Sequence, residues 1–224
     1  MTAIDTSEEI FRALRNGIVP SDREFDAVYS RATRLLSSAH WTPVDVAVCA
    51  AEMLVTDSGT RVLDVGCGPG KFCLIGAATQ AARFTGVDQR DHLLAEGRAL
   101  AQSAGIPNAG FIHGNMMDLD WSEYDAFYLY NPFFENVCLS AVIDETVPLR
   151  PEYFYRYVEI VQQKLMDLPM GTRVVTYHGF GGDMPYGYRM AGSKEIGSDC
   201  LQCWVKENDV VVKSGARRAM VWKA

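Results

Sequence analysis

The sequence predicts an α/β fold: a doubly wound, mainly parallel sheet of seven strands ending in an antiparallel C-terminal hairpin. Three observations predict it. From residue 60 onward, apolar strand-like runs alternate with amphipathic helix-like segments, the pattern of right-handed β-α-β crossovers. The first of these runs is Val62-Leu63-Asp64-Val65-Gly66-Cys67-Gly68-Pro69-Gly70, a strand that passes through three alternate glycines into a helix-like segment. The last two strand-like segments, 199–206 and 216–223, have no helix between them and are expected to pair antiparallel at the sheet edge.

The first sixty residues read as helices. Thr6-Ser7-Glu8-Glu9 and Ser21-Asp22-Arg23-Glu24 both have the capping-box pattern. After the second, apolar side chains at 25, 28, 29, 32, 35 and 36 form one helical stripe. Thr42 is placed to N-cap a further helix with Pro43 at its first position, continued by apolar residues at 44, 47, 48, 51, 54 and 55. Beyond Asp57-Ser58-Gly59, strands are expected at 61–65, 84–88, 110–113, 125–130 and 172–178, and helices at 70–82, 91–104 and 151–168. The expected organisation is a helical segment, 1–56, in front of a core, 57–224.

Composition narrows the class. The chain has 224 residues, 48% of them hydrophobic, enough for one well-buried domain. Its formal net charge is -7 and it has no Lys/Arg run, so general binding to nucleic acid phosphates is not expected. No apolar run approaches membrane-spanning length, and Met1 to Glu9 lack a signal-peptide pattern. Six cysteines without such a pattern suit reduced thiols and a cytoplasmic setting. Cys200-Leu201-Gln202-Cys203 is a lone C-x-x-C with no second ligand pair at a matching spacing, so no metal site is expected.

The glycine loop carries the chemistry. Missing side chains let a ligand approach bare backbone at a helix N-terminus. A dinucleotide fingerprint starting at Gly66 requires glycine at 71, where the chain has Lys71. The observed D-x-G-x-G-x-G resembles motif I of the class I S-adenosylmethionine (SAM) methyltransferases, and the antiparallel tail fits the Rossmann-like fold of that family. The resemblance covers about residues 40 to 223 and implies SAM as cofactor.

In open α/β sheets the ligand lies beyond the carboxyl ends of the strands, so successive strand ends are expected to meet it. Gly66, Cys67, Gly68 and Gly70 make room for the amino-acid end, with backbone donors for its carboxylate. Asp64 is placed to meet its ammonium. Asp88 ends the second strand, 18 residues after Gly70 (88 − 70), where a carboxylate can accept from both ribose hydroxyls. Gln89 is a ribose or adenine neighbour. Asn115 stands where the family carries Asp or Asn against the adenine amino group, and Met116 either covers the adenine face or packs in the core. Tyr29, Trp41 and Thr42 belong to the N-terminal segment, expected as a lid over the cofactor.

The fourth strand runs into Asn131-Pro132-Phe133-Phe134, where the family places its reaction-side motif. Many amino-group methyltransferases have Asn/Asp-Pro-Pro-Tyr/Phe here, and this chain lacks the second proline. The turn and the helical N-terminal segment are closer to the disruptor-of-telomeric-silencing-like lysine methyltransferases, a resemblance that identifies no substrate. Asn131 is the candidate for orienting an amine. Phe133 and Phe134 either wall the methyl or anchor the next helix, and Tyr130 and Glu135 are further candidates. Residues 136–150, with Asp144 and Glu145, and the glycine-rich 179–198, with Tyr186, Tyr188, Arg189 and Met190, are expected as long loops shaping the acceptor pocket. The expected function is methyl transfer by in-line displacement to a nitrogen of a small molecule or protein side chain, with nucleic acid disfavoured. The alternatives are a SAM-binding partner protein without turnover and a nicotinamide-dependent oxidoreductase.

Overall fold

The structure, a computed structural model, describes residues 7–138, 140 and 142–208. Helices α1 (Ser7–Arg15), α2 (Asp22–Asp26), α3 (Arg31–Arg34), α4 (Ser37–His40) and α5 (Val44–Leu54) precede the sheet. Then come β1 (Arg61–Val65), α6 (Lys71–Thr79), β2 (Arg83–Asp88), α7 (Asp91–Ser103), β3 (Ala109–His113) and β4 (Ala126–Tyr130). The chain continues through α8 (Pro151–Asp167), β5 (Arg173–Tyr177), β6 (Tyr188–Ile196) and β7 (Asp199–Lys206).

The seven strands lie in the order β3-β2-β1-β4-β5-β7-β6, with β1 to β5 parallel and β7 antiparallel to both β5 and β6. Val62, Leu63 and Val65 of β1 and the first four residues of β4 are buried, which is why these runs read as continuously apolar. Two cores flank the sheet. One gathers α1, α2, α5, α6 and α7 around Phe72, Phe84 and Tyr128. The other packs Tyr157, Val161 and Leu165 of α8 on Leu63, Phe127 and Val174.

The hairpin is present with different members. Its strands are β6 and β7, joined through Gly197 at φ 62, so half of the loop expected at 179–198 is strand. The strand expected at 216–223 lies outside the described residues. β6 is an edge strand whose residues are mostly exposed, so it lacks the apolar alternation that marks a strand in sequence. Gly192 sits at a register shift within it.

The stripe from 25 to 36 does not form one helix. The Ser30 side chain accepts from Thr33 N–H and caps α3, while Glu96 of α7 accepts from the Ser30 backbone N–H and hydroxyl and from the Thr33 hydroxyl. This tertiary anchor breaks the helix at a capping residue and leaves Leu35 77% exposed. The Ser21–Glu24 capping box forms as expected. The one expected at Thr6 includes a residue outside the described range. Thr42 does not cap α5: Asp22 Oδ1 accepts from Val44 N–H at 3.0 Å, and the Thr42 hydroxyl pairs with Tyr128 instead.

Candidate functional site

Strand order reverses between β1 and β4, and a cavity of about 510 Å³ opens beyond their carboxyl ends. Thr42, Asp64, Gly66, Cys67, Gly68, Asp88, Gln89, Asn115, Met116, Asn131, Phe133 and Phe134 all line it. Gly70 does not. It stands behind the wall, where a Cβ would lie 2.1 Å from Cε1 of Phe111. Its φ of 79 and this ring account for glycine there.

The loop after β1 is held from within. Gly66 N–H and Cys67 N–H both donate to Val87 O, at 2.9 and 3.1 Å, and Gly70 N–H donates to Cys67 O at 2.9 Å. Gly68 N–H donates to Asp88 Oδ2 at 2.9 Å. Contrary to expectation, the loop's own amides are therefore committed inside the protein. Gly68 faces open space: a Cβ added there would meet no atom within 4 Å. Asp88 is fixed at the end of β2 because its other oxygen accepts from Arg90 N–H at 2.8 Å. Burial raises its pKa against the opposing effect of these two amides.

Asp64 is 4% exposed, and its carboxyl contacts the Cys73 thiol at 3.6 Å. Burial raises its pKa to about 8, so this carboxyl lacks the counter-charge that ionisation requires. Cys67 and Cys73 are buried beside it, both crowding Gly86, where a Cβ would lie 2.4 Å from Cys67 Sγ. Burial pushes both thiols well up, which makes them packing groups rather than nucleophiles.

At the third strand end, Asn115 donates to Gln89 Oε1 at 3.2 Å and to Tyr157 OH at 3.0 Å, and its Oδ1 accepts from Met117 N–H at 3.0 Å. One lone pair of Oδ1 remains for an incoming donor. Met116 is 5% exposed and packs in the α8-side core while contributing to the cavity wall.

Asn131 and His178 end the neighbouring strands β4 and β5, both at positive φ, 41 and 56, and Asn131 N–H donates to Gly179 O at 2.9 Å. These are the two non-glycine residues of positive φ among those described, and both line the cavity. His178 Nδ1 lies 2.6 Å from Asp199 Oδ2, and its ring is tilted against Tyr130. Phe133 is buried and stacks on Tyr157 with centroids 5.1 Å apart, whereas Phe134 is 43% exposed at the rim. Asp144 does not provide a free acidic lining: it lies 3.1 Å from Arg90 Nε and also accepts from the Thr146 hydroxyl.

Sequence reasoning missed Arg90, His178, Tyr157 and a structural role for Lys71. Arg90 is 6% exposed and joins the Asp88 turn to the segment after β4, through two contacts with Glu135 and one with Asp144. Lys71 is 3% exposed and reaches Asp22 at 2.6 Å and Asp26 at 2.7 Å, tying α2 to the start of α6. For Arg90 the available signal was a cation two residues past a strand-end acid; the other three had none, because their partners are distant in the chain.

A family model described as a methyltransferase domain matches residues 56–156. Among solved structures, an RNA methyltransferase from Salinibacter ruber in complex with S-adenosyl-L-homocysteine is similar at 22% identity and a TM-score of 0.57, over 76% of this chain and 96% of that one. TrmN from Thermus thermophilus is similar at 20% identity and a TM-score of 0.58, over 79% of this chain and 53% of that one. The sequence matches no curated protein. The chemistry of the lining is compatible with SAM: a buried carboxyl without a counter-charge could receive an ammonium, and a backbone-fixed acid beside the bare Gly68 could receive ribose hydroxyls. Residues 56–156 therefore match a methyltransferase domain, and the strand order and the glycine-loop motif agree with a class I fold that takes S-adenosylmethionine as cofactor.

Proposed function

We propose that the chain transfers a methyl group by in-line displacement to a nitrogen of a small molecule or protein side chain, with Asn131 orienting that nitrogen. The observation carrying this reading is Asn131 itself. It is held at φ 41 by its backbone bond to Gly179, and its side-chain amide lines the cavity with no hydrogen-bond partner among the described residues. Such an amide can accept from an amine N–H and fix the lone pair toward the donor carbon. SAM supplies a methyl on a sulfonium, a leaving group already activated by its charge. The chain's task is then positioning and exclusion of water. Tyr130 and Phe134 supply ring surface near Asn131, and Arg90 holds Glu135 and Asp144 so that the segment after β4 covers the cavity.

A second acceptor class has specific support. The Salinibacter protein is named an RNA methyltransferase, so the low positive charge of this chain does not by itself set nucleic acid aside. Transfer of labelled methyl to a cell extract, followed by separation into protein, nucleic acid and metabolite fractions, distinguishes these readings. Label in metabolites or protein, lost in Asn131→Ala, is the expected result. Label in nucleic acid alone refutes the preferred acceptor. No label in any fraction, despite bound SAM, favours the partner protein without turnover.

A further inference from the structure

We infer that His178 is the general base of the transfer, taking the proton that the acceptor nitrogen loses, with Asp199 as the residue that positions it. This rests on the methyl-transfer reading above and adds the group that completes its proton balance. His178 follows β5 and Asn131 follows the neighbouring β4, and Asn131 N–H donates to Gly179 O across the two strand ends. Both residues line the cavity, and both hold a positive φ. Such backbone persists only where the surroundings over-determine it. Here the turn between β6 and β7 does so. The Tyr177 hydroxyl donates to Ile196 O at 2.9 Å and accepts from Ser198 N–H at 3.0 Å. A Cβ on Gly197 would lie 2.8 Å from that hydroxyl, so the turn is seated directly on the end of β5.

That seat brings Asp199 against the His178 ring. Asp199 Oδ1 accepts from Cys200 N–H at 2.7 Å, which fixes the carboxylate, and its Oδ2 lies 2.6 Å from His178 Nδ1. An ionised carboxylate can only accept, so it keeps the ring hydrogen on Nδ1 and leaves the lone pair on Nε2. Nε2 meets Ser198 Oγ at 3.3 Å, a long contact to a hydroxyl that can rotate away. The titratable groups facing the ring are Asp199 from β7, Tyr130 from β4 and Tyr177 from its own strand. The other histidine of the lining, His40, has no carboxylate hydrogen-bonded to its ring among the described residues, so nothing fixes its tautomer. In the step, the acceptor nitrogen bonds to the methyl carbon as the carbon–sulfur bond breaks, and that bond's electron pair stays on sulfur. The N–H proton passes to Nε2, and Asp199 stabilises the imidazolium that forms. The ring is partly open to solvent, so the proton then leaves to water.

The test measures transfer from methyl-labelled SAM to the labelled fraction of a cell extract, as a function of pH, by the full chain and two variants. Calorimetric SAM binding is measured beside it. Wild-type transfer is expected to rise from about pH 5 to about pH 7, as the ring becomes neutral. His178→Gln should lose about 100-fold in rate and lose this rising limb, with SAM affinity changed less than about twofold. A rate within about threefold of wild type, or a pH profile of unchanged shape, overturns the inference. Asp199→Asn leaves the strained position alone and carries the test if His178→Gln does not fold. The Asn amide donates to Nδ1 and so moves the ring hydrogen to Nε2, which removes the base. More than about a tenfold loss of transfer at unchanged SAM affinity is expected, and wild-type transfer overturns the inference. If the wild type binds SAM but labels no fraction, the transfer reading itself falls. If it labels a fraction and both variants do so equally well, only the base falls.

Discussion

Asp64 gives the sharpest prediction. Its carboxyl is 4% exposed, and burial raises its pKa from the ordinary carboxylate range to about 8. At pH 7 about nine-tenths of the free protein therefore carries a proton there. An ammonium placed against this carboxyl favours the ionised form, so Asp64 releases about 0.9 proton when SAM binds at pH 7. The cofactor's amino group must itself stay protonated, with a reference pKa of about 8. Affinity should then rise about eightfold from pH 6 to 7 and about threefold more from pH 7 to 8, with a maximum near pH 8. Stability of the free protein runs the other way. The folded state binds the extra proton, so stability falls as pH rises from the unfolded value toward 8. The penalty at pH 7 reaches up to about 4 kcal/mol. Asp64→Asn removes both effects: it raises the melting temperature of the free protein at pH 8, weakens SAM binding, and abolishes proton release. Calorimetry in two buffers of different ionisation enthalpy measures the net count, about 0.8 proton released at pH 7 once the roughly 0.1 proton taken up by the cofactor's amino group is subtracted. A pH-independent affinity between 6 and 8, or no proton release at pH 7 by the wild type, refutes the assignment of Asp64 to the ammonium.

Two further outcomes follow from packing and charge. Gly70→Ala places a methyl 2.1 Å from Phe111 at φ 79 and should cost roughly 2–5 kcal/mol by thermal melting, whereas Gly68→Ala, with φ 54 and open space, should cost only about 1–2 kcal/mol; equal losses in the two variants refute the packing role of Gly70. Arg90→Met leaves Glu135 and Asp144 without their cation and should destabilise by about 3 kcal/mol, with faster proteolysis in 136–150; an unchanged cleavage rate there refutes the clamp.

Much of the fold was legible because it depends on local periodicity. β1 lies at 61–65 as expected, and the other core strands and the three sheet helices differ from expectation by one to three residues at an end. β6 was not legible, since an exposed edge strand needs no apolar face, and its identity comes from pairing with β7. The broken helix after Ser21 has a similar cause: the periodic stripe was present, but Glu96, far along the chain, satisfies Ser30 and Thr33 and ends the run.

The sheet class, the glycine loop and the strand-end residues that line one cavity are all written in local pattern. These follow from hydrophobic period, turn chemistry and the rule that ligands sit at strand carboxyl ends. Which groups remain free to bind depends instead on how distant segments pack together. Gly70 faces Phe111 rather than the cavity, the loop amides are consumed by Val87, Cys67 and Asp88, and Asp64 is enclosed without a counter-charge. Hydrogen-bond satisfaction and burial depend on neighbours brought together from different parts of the chain, so no local pattern contains them.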